Sequence, residues 1–261
     1  MNATRERIEN IDYCIRYLMA QEGVETAIPD TLPEKQLLLR ALMNVWEPQP
    51  LSDEFLKAQD SELRAQLVDK GVVEDVGGLW QGDITRLKVD AIVNAANNRG
   101  LGCWHPLHSC IDNAIHSAAG LQLRQECDNI LQGGELATGK AIITAGYNLP
   151  CRYVIHTVGP IIPNGIPTTE QELQLAECYR SSLRLAADHG CRSIAFCCIS
   201  TGEFRFPNRR AAEIAIECVH AFGNIARNHA IPQTLKPTIK VVFNVFKDID
   251  YDLYHELLQS Y

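Results

Sequence analysis

Cys103, His108 and Cys110 fall within eight residues of one another, and two thiols and an imidazole at that spacing can converge on one ion. A short Cys/His/Cys set suits zinc, which is borderline soft and tetrahedral. Three protein ligands leave a fourth position for water or substrate, as a catalytic site requires. The same residues also fit two core cysteines and a surface histidine, and spacing alone leaves both descriptions open. His105 is a spare ligand candidate whose backbone is constrained by Pro106. Just beyond the cluster stands Asp112, either a helix-start residue or a carboxylate aimed at a ligand beside the metal.

Three further stretches have residue types suited to ligand contact. Asn94-Ala95-Ala96-Asn97 directly follows the apolar run Ala91-Ile92-Val93, and its small and amide residues permit close approach and directional hydrogen bonds. In Ile199 to Pro207 (ISTGEFRFP) a β-like run ends in Ser200-Thr201-Gly202 just before a helix, where backbone N–H groups can cradle a phosphate. Phe204 or Phe206 is available there to stack on a sugar or base, or both are core aromatics. Neither Gly-Lys-Ser/Thr nor Gly-x-Gly-x-x-Gly is present, so this is no Walker A loop or dinucleotide fingerprint. In Gly82-Asp83, the carboxylate can accept from an exocyclic amine or cap the following turn.

These residues need a scaffold. From Leu79 onward short β-rich runs alternate with helical stretches, which predicts a largely parallel sheet covered on both faces. Predicted strands are Leu79-Trp80, Ala91 to Val93, Ala141 to Ile143, Tyr153 to Ile155, Ser193 to Ile199 and Ile239 to Phe246. Predicted helices follow Cys110 (Ala114 to Ala119), and cover Thr169 to His189, Asn208 to Asn228 and Tyr251 to Gln259. Ligands of such folds bind outside the strand ends, where the candidate residues stand. Before residue 75 the pattern is purely helical. Ile8, Ile11, Ile15, Leu18 and Met19 make one apolar face, Pro33 suits a helix start, Pro48 and Pro50 stop a helix, and Ser52 is placed as an N-cap. The chain is therefore divided into residues 1–74, a helical N-terminal extension, and residues 75–261, the main domain.

Composition sets outer limits. With 46% hydrophobic and 21% charged residues over 261 positions, the chain is neither disordered, collagen-like nor a coiled coil. A net charge of −8 argues against a broad electrostatic grip on nucleic acid or anionic membrane, so any phosphate must be held by local geometry. No apolar run reaches the roughly 20 residues of a membrane span. Ten cysteines behind a charged N-terminus with no apolar leader read as reduced thiols in a cytoplasm. Most of them are expected as buried small hydrophobes. No feature demands a second copy, and a monomer is expected.

Taken in order, Gly82-Asp83-Ile84, DAIVNAAN (Asp90 to Asn97), DNAIHSAAG (Asp112 to Gly120), Thr138-Gly139-Lys140-Ala141, Tyr147 to Pro150, VIHTVGP (Val154 to Pro160) and Ser193 to Pro207 resemble a macrodomain, the ADP-ribose-binding α/β/α fold. The resemblance spans about two-thirds of the chain and is greatest to the MacroD-type branch. Where ordinary MacroD-type members carry a run of glycines, this chain has Cys103 to Cys110, which is similar to the zinc-containing bacterial macrodomains. Arg205 stands where a glycine is usual. The resemblance implies a three-layer α/β/α macrodomain with a mixed sheet, a helical N-terminal extension and bound Zn2+. It further implies that Asp83 and Ile84 meet the adenine, that Phe246 stacks on it, and that Ser200, Thr201, Gly202, Glu203 and Phe204 line the diphosphate and distal ribose. Asn97 would hold a distal-ribose hydroxyl, Cys103, His108 and Cys110 the zinc, and Asp112 would sit by the scissile carbon. The implied activity is hydrolysis of mono-ADP-ribose from modified proteins. A non-catalytic ADP-ribose reader and a hydrolase of small derivatives such as O-acetyl-ADP-ribose are the alternatives. The implied partners are a mono-ADP-ribosylated protein and, as with related bacterial enzymes, an ADP-ribosyltransferase and a lipoyl-carrier protein.

Overall fold

The computed structural model describes residues 3–228 and 239–260. Its first three elements are α1 (Ala3–Glu22), α2 (Leu32–Val45) and α3 (Asp53–Lys70). The three-and-four spacing on α1 puts Ile11, Cys14, Ile15 and Leu18 on one face, and all four are fully buried. That face meets Leu39, Leu42 and Trp46 from α2 and its exit, and Phe55 and Leu63 from α3. Pro33 opens α2, where a missing N–H costs nothing. Ser52 caps α3 by accepting from the Phe55 N–H at 3.1 Å, and Gly71 ends it at φ +77°. This small core is separate from the main one, and among the described residues Leu121 is the one buried residue it borrows from later in the chain.

The second unit is a six-stranded sheet between helices. Its strands are β1 (Leu79–Gln81), β2 (Ala91–Ala95), β3 (Ala141–Ala145), β4 (Tyr153–Thr157), β5 (Ser193–Phe196) and β6 (Lys240–Val245). Their order is β1-β6-β5-β2-β4-β3, and every neighbouring pair is parallel except β3 with β4. Strands covered on both faces should be continuously apolar, and the first four residues of β2 are all buried. Helices α4 (Ile111–Ala119) and α5 (Leu121–Leu131) lie on the side of the N-terminal helices. The opposite layer is α6 (Thr169–Asp188), α7 (Asn208–Asn228) and α8 (Asp248–Leu258). The mixed sheet in three layers is the architecture expected.

Local departures have physical causes. The β5 strand stops at Phe196 rather than Ile199, because Cys197 and Ile199 are buried in a loop, not paired in the sheet. The α4 helix starts at Ile111, ahead of Ala114, because Cys110 caps it: its thiol accepts from the Asn113 N–H at 3.4 Å. Gly120, at φ +102°, separates α4 from α5, a helix the sequence pattern had not announced. The β6 strand ends one residue before Phe246, and α8 begins at Asp248 rather than Tyr251. Cys14, Cys127, Cys151, Cys178, Cys191, Cys197 and Cys218 are buried free thiols, as expected.

Candidate active site

The parallel strands all deliver their C-terminal ends to one edge of the sheet. Asp83 and Phe246 leave the paired strands β1 and β6. Ser200 to Phe204 follow β5, and Asn97 follows β2. Along the strand order these groups form a row of about four strand positions, or roughly 14 Å. The row suits an elongated ligand lying across the strand ends.

At the β1 end, the Asp83 carboxylate caps the turn at Ile84–Arg86, accepting from the Thr85 N–H at 3.0 Å and its hydroxyl at 2.6 Å. Its other oxygen lies 3.3 Å from the Lys70 ammonium at the end of α3. Burial of Asp83 is outweighed by these hydrogen bonds and by the lysine charge, which hold its carboxyl below the usual range. The Ile84 side chain is buried, while Phe246 is 76% exposed, which leaves its ring face free for a ligand.

The middle of the row is a strained loop. Ser200 is at φ +65° and Arg205 at +58°, conformations that non-glycine residues seldom adopt. The carbonyls of Ser200, Gly202 and Phe204 are consumed by the N–H groups of Phe206, Arg205 and Ile162. Among the described residues, none accepts from the N–H groups of Gly202, Glu203 or Phe204, and the loop runs into the N-terminus of α7. That is the electrostatics of an anion cradle. Gly159 makes the cradle compact: a Cβ there would fall 1.9 Å from the Ser200 hydroxyl. Phe206 is core, whereas Phe204 is only half-buried and belongs to the groove.

At the β2 end a buried carboxylate is held from several sides. Asn94 donates to Asp112 Oδ1 at 2.7 Å, Asn97 donates to Oδ2 at 3.2 Å, and His116 Nε2 is 3.5 Å from Oδ1. Burial raises the Asp112 pKa to about 6, against the Asn94 hydrogen bond and the Arg124 charge, which lower it. The carboxylate is thus a stronger base than an exposed one and still largely ionised near neutrality. Asn94 also faces His156 Nδ1 at 3.1 Å, and His156 Nε2 faces the Thr144 hydroxyl at 3.0 Å. A carboxylate only accepts, so the Asn94 amide nitrogen must face Asp112 and His156. His156 Nδ1 is then the acceptor, and its proton sits on Nε2. Asn94, His116 and His156 lie inside stretches that stand out in the sequence, but residue type and spacing assign them no individual roles. A polar residue in the middle of a buried strand is the signal that marks Asn94 and His156.

Beside Asp112 the ligand atoms of Cys103, His108 and Cys110 all lie within 4.8 Å of one another, with Cys103 Sγ 3.6 Å from His108 Nδ1. All three residues are partly exposed. Burial, with Cys103 and Asp112 close by, pushes the Cys110 thiol up to about 12. Asn97 donates to the Gly102 carbonyl at 2.9 Å and so joins this loop to the carboxylate. His108 Nε2 is 3.9 Å from the Glu203 carboxylate, which brings the phosphate-type loop against the cluster. The spare candidate His105 is not among the converging ligands and packs edge-on against His108. A second group, His116, Cys127 and His156, converges in the core beneath. There both nitrogens of His156 already have partners, and burial drives the Cys127 thiol pKa up and the His116 pKa down, so this group is neutral.

Fold and geometry together define an α/β/α domain with a buried carboxylate and a Cys/His/Cys cluster at one end of its strand-edge row. Known proteins agree. A family model described as "Macro domain" matches residues 93–215. A protein-ADP-ribose hydrolase of Treponema medium is 47% identical, over 99% of this chain and all of the relative. A protein-ADP-ribose hydrolase of Staphylococcus aureus MRSA252 is also 47% identical, over 98% of this chain and 97% of the relative. Among solved structures, an Oceanobacillus iheyensis macrodomain with ADP is 38% identical at a TM-score of 0.58, covering 70% of this chain and 89% of that one. A Trypanosoma brucei macrodomain in complex with ADP-ribose is 29% identical at 0.58, covering 84% and 94%. The chain belongs to the macro domain family.

Proposed function

We propose that this protein is a protein-ADP-ribose hydrolase that removes mono-ADP-ribose by cleaving the bond at the anomeric carbon of the distal ribose. The observation that carries the proposal is the Asp112 carboxylate, oriented by Asn94 and Asn97 and set beside Cys103, His108 and Cys110 at the end of an anion-cradling groove. The names of the full-length relatives support it.

In this reading adenine lies against Phe246 with its amine near Asp83 and the Ile84 backbone. The diphosphate rests on Ser200 to Phe204, and the distal ribose reaches Asn97 and Asp112. Diphosphate binding far from the reacting carbon orients the sugar, so remote binding energy is used for positioning. Asp112 orients a water against the anomeric carbon and takes its proton. The water oxygen bonds to that carbon, the bond to the protein side chain breaks, and a proton passes to the leaving group. A pure reader of ADP-ribose has no use for a buried carboxylate held by two amides. We read residues 1–74 as the extension and residues 75–261 as the catalytic domain.

The Cys/His/Cys cluster fits zinc. Tetrahedral bonds of about 2.3 Å to sulfur and 2.0–2.1 Å to nitrogen place the two donors about 3.6 Å apart, the separation seen between Cys103 and His108. The donor set of two thiols and one imidazole is a zinc set. Cys103, His108 and Cys110 would hold the ion, and when bound it supplies Lewis acidity and positive charge beside the distal ribose.

The test is release of ADP-ribose from a mono-ADP-ribosylated protein, before and after zinc stripping. Release that stripping abolishes and zinc restores is expected. ADP-ribose binding with no release in either state would make the protein a reader. Release from O-acetyl-ADP-ribose alone would move the activity to small derivatives. Carrying the same assay to a modified lipoyl-carrier protein, with its ADP-ribosyltransferase as the source of modification, tests the partner implied by resemblance. Among the described residues no helix is long and apolar enough to cross a membrane.

A further inference from the structure

The segment from Cys103 to Cys110 has little structure of its own. It carries one internal backbone hydrogen bond, from the His108 N–H to the His105 carbonyl at 3.2 Å, and Leu107 sits at φ +58°. A loop of this kind does not by itself hold three donors in register for a metal. Two of the contacts that hold it come from α2, more than 60 residues earlier in the chain.

Arg40 donates from Nη2 to the His108 carbonyl at 3.0 Å. From Nε and Nη2 it also donates to Asn113 Oδ1, at 3.0 and 2.6 Å. This fixes which way the Asn113 amide faces: its oxygen is turned to the guanidinium, so its nitrogen donates to the His105 carbonyl at 3.0 Å. Asn44, one turn further along α2 and almost fully buried, accepts from the Leu107 N–H at 3.0 Å. Loop positions 105, 107 and 108 are therefore all tied to α2, directly or through Asn113. Trp104 is held from the same quarter, because Arg124 lies over its ring at 4.5 Å while donating to the carbonyls of Asn44 and Trp46.

We infer that the N-terminal helical unit is the positioning device of the metal loop, with Arg40 and Asn44 holding the Cys103–His108–Cys110 cluster in its binding geometry and so setting its affinity for zinc. The inference rests on the zinc reading of that cluster. Partners that orient metal ligands from behind typically change metal affinity by 10- to 100-fold when removed. The guanidinium is the stronger part of the device, since one planar group bonds a loop carbonyl and an amide oxygen at once.

The test is zinc affinity of the full chain, by competition with a colorimetric chelator, for wild type, Arg40→Met, Arg40→Lys and Cys110→Ala. The visible absorption of the cobalt-loaded proteins reports ligand geometry, and the unfolding midpoint of the metal-free chains reports folding. Arg40→Met is expected to bind zinc about tenfold or more weakly, with altered cobalt bands and ADP-ribose binding within about threefold of wild type. Arg40→Lys keeps the charge and stem but cannot bond both acceptors, so it is expected to fall between; it decides the matter if the methionine variant does not fold. Wild-type zinc affinity and cobalt bands in a folded Arg40 variant overturn the inference while leaving the zinc reading intact. Wild-type protein that takes up no more zinc than Cys110→Ala overturns the zinc reading and the inference with it.

Discussion

Acid should unfold this protein through His156, and replacing that residue should remove a calculable part of the effect. The ring is fully buried in β4, with Nδ1 accepting from Asn94 and Nε2 facing Thr144. A second proton would have to go on Nδ1, where it would expel the Asn94 donor, and burial lowers the His156 pKa from 6.5 to about 3. Between those values the unfolded chain binds the proton and the folded chain does not, so stability is complete above 6.5 and is lost as pH falls toward 3. At pH 4.5, two units below the unfolded value, the loss from this one residue is about 3 kcal/mol. For a chain of this size that corresponds to roughly 5–10 °C in the unfolding midpoint. His116, whose pKa burial also lowers, adds in the same direction, and Asp112, whose pKa is raised, opposes. Both are common to wild type and to His156→Asn, which keeps an acceptor toward Asn94 but cannot titrate. The assay is urea unfolding of both proteins at pH 8 and pH 4.5, with chelator and reductant present so that metal loss does not enter. Wild type should lose about 3 kcal/mol more than the variant on acidification. Equal losses in the two proteins would refute the assignment of His156 as a buried neutral acceptor.

Other expectations follow from the same geometry. Asp112→Asn should lower kcat/KM for ADP-ribose release by about 10²- to 10⁴-fold, while calorimetric ADP-ribose affinity stays within a few-fold. Gly159→Ala should weaken ADP-ribose binding by about tenfold or more, roughly 1.4 kcal/mol, since its Cβ would strike the Ser200 hydroxyl; adding Ser200→Gly should recover part of that loss. Gly102→Ala places a Cβ 2.7 Å from the His116 ring at φ +80°. It should cost about 1–2 kcal/mol in urea unfolding and reduce zinc content by shifting the start of the metal loop. Arg7→Met leaves the buried Glu62 carboxylate with only the Gln36 and Gln66 amides as donors, and should destabilise the N-terminal helices by about 3 kcal/mol, read as an earlier loss of helical signal on heating.

Much of the fold is legible in order along the chain because its elements are local. The apolar face of α1 follows from spacing, Ser52 and Pro33 mark helix starts by backbone chemistry, and the alternation of β-runs with helices implies the parallel sheet. Of the candidate site, the sequence singles out residues whose partners are near in sequence: the Cys103, His108 and Cys110 set, the loop from Ser200 to Phe204, and Asp112 just behind the cluster. The limits of β5 were misread for a simple reason. An apolar run records burial, and Cys197 and Ile199 are buried without being paired in the sheet.

What tertiary structure alone decided is how those residues are aimed. Asp112, in the first turn of α4, gains its raised pKa from burial, and its orientation from two amides at the end of β2. His156 meets Asn94 only because β4 pairs with β2 in that register. Arg40 and Asn44 carry no motif, and their meaning appears when α2 is laid against a loop more than 60 residues away. Residue type and spacing determine what chemistry a chain can do. Which side chains lose their water, and which donors they find in its place, depends on contacts between elements far apart in sequence, and those losses and gains set the charge and direction of the reacting groups.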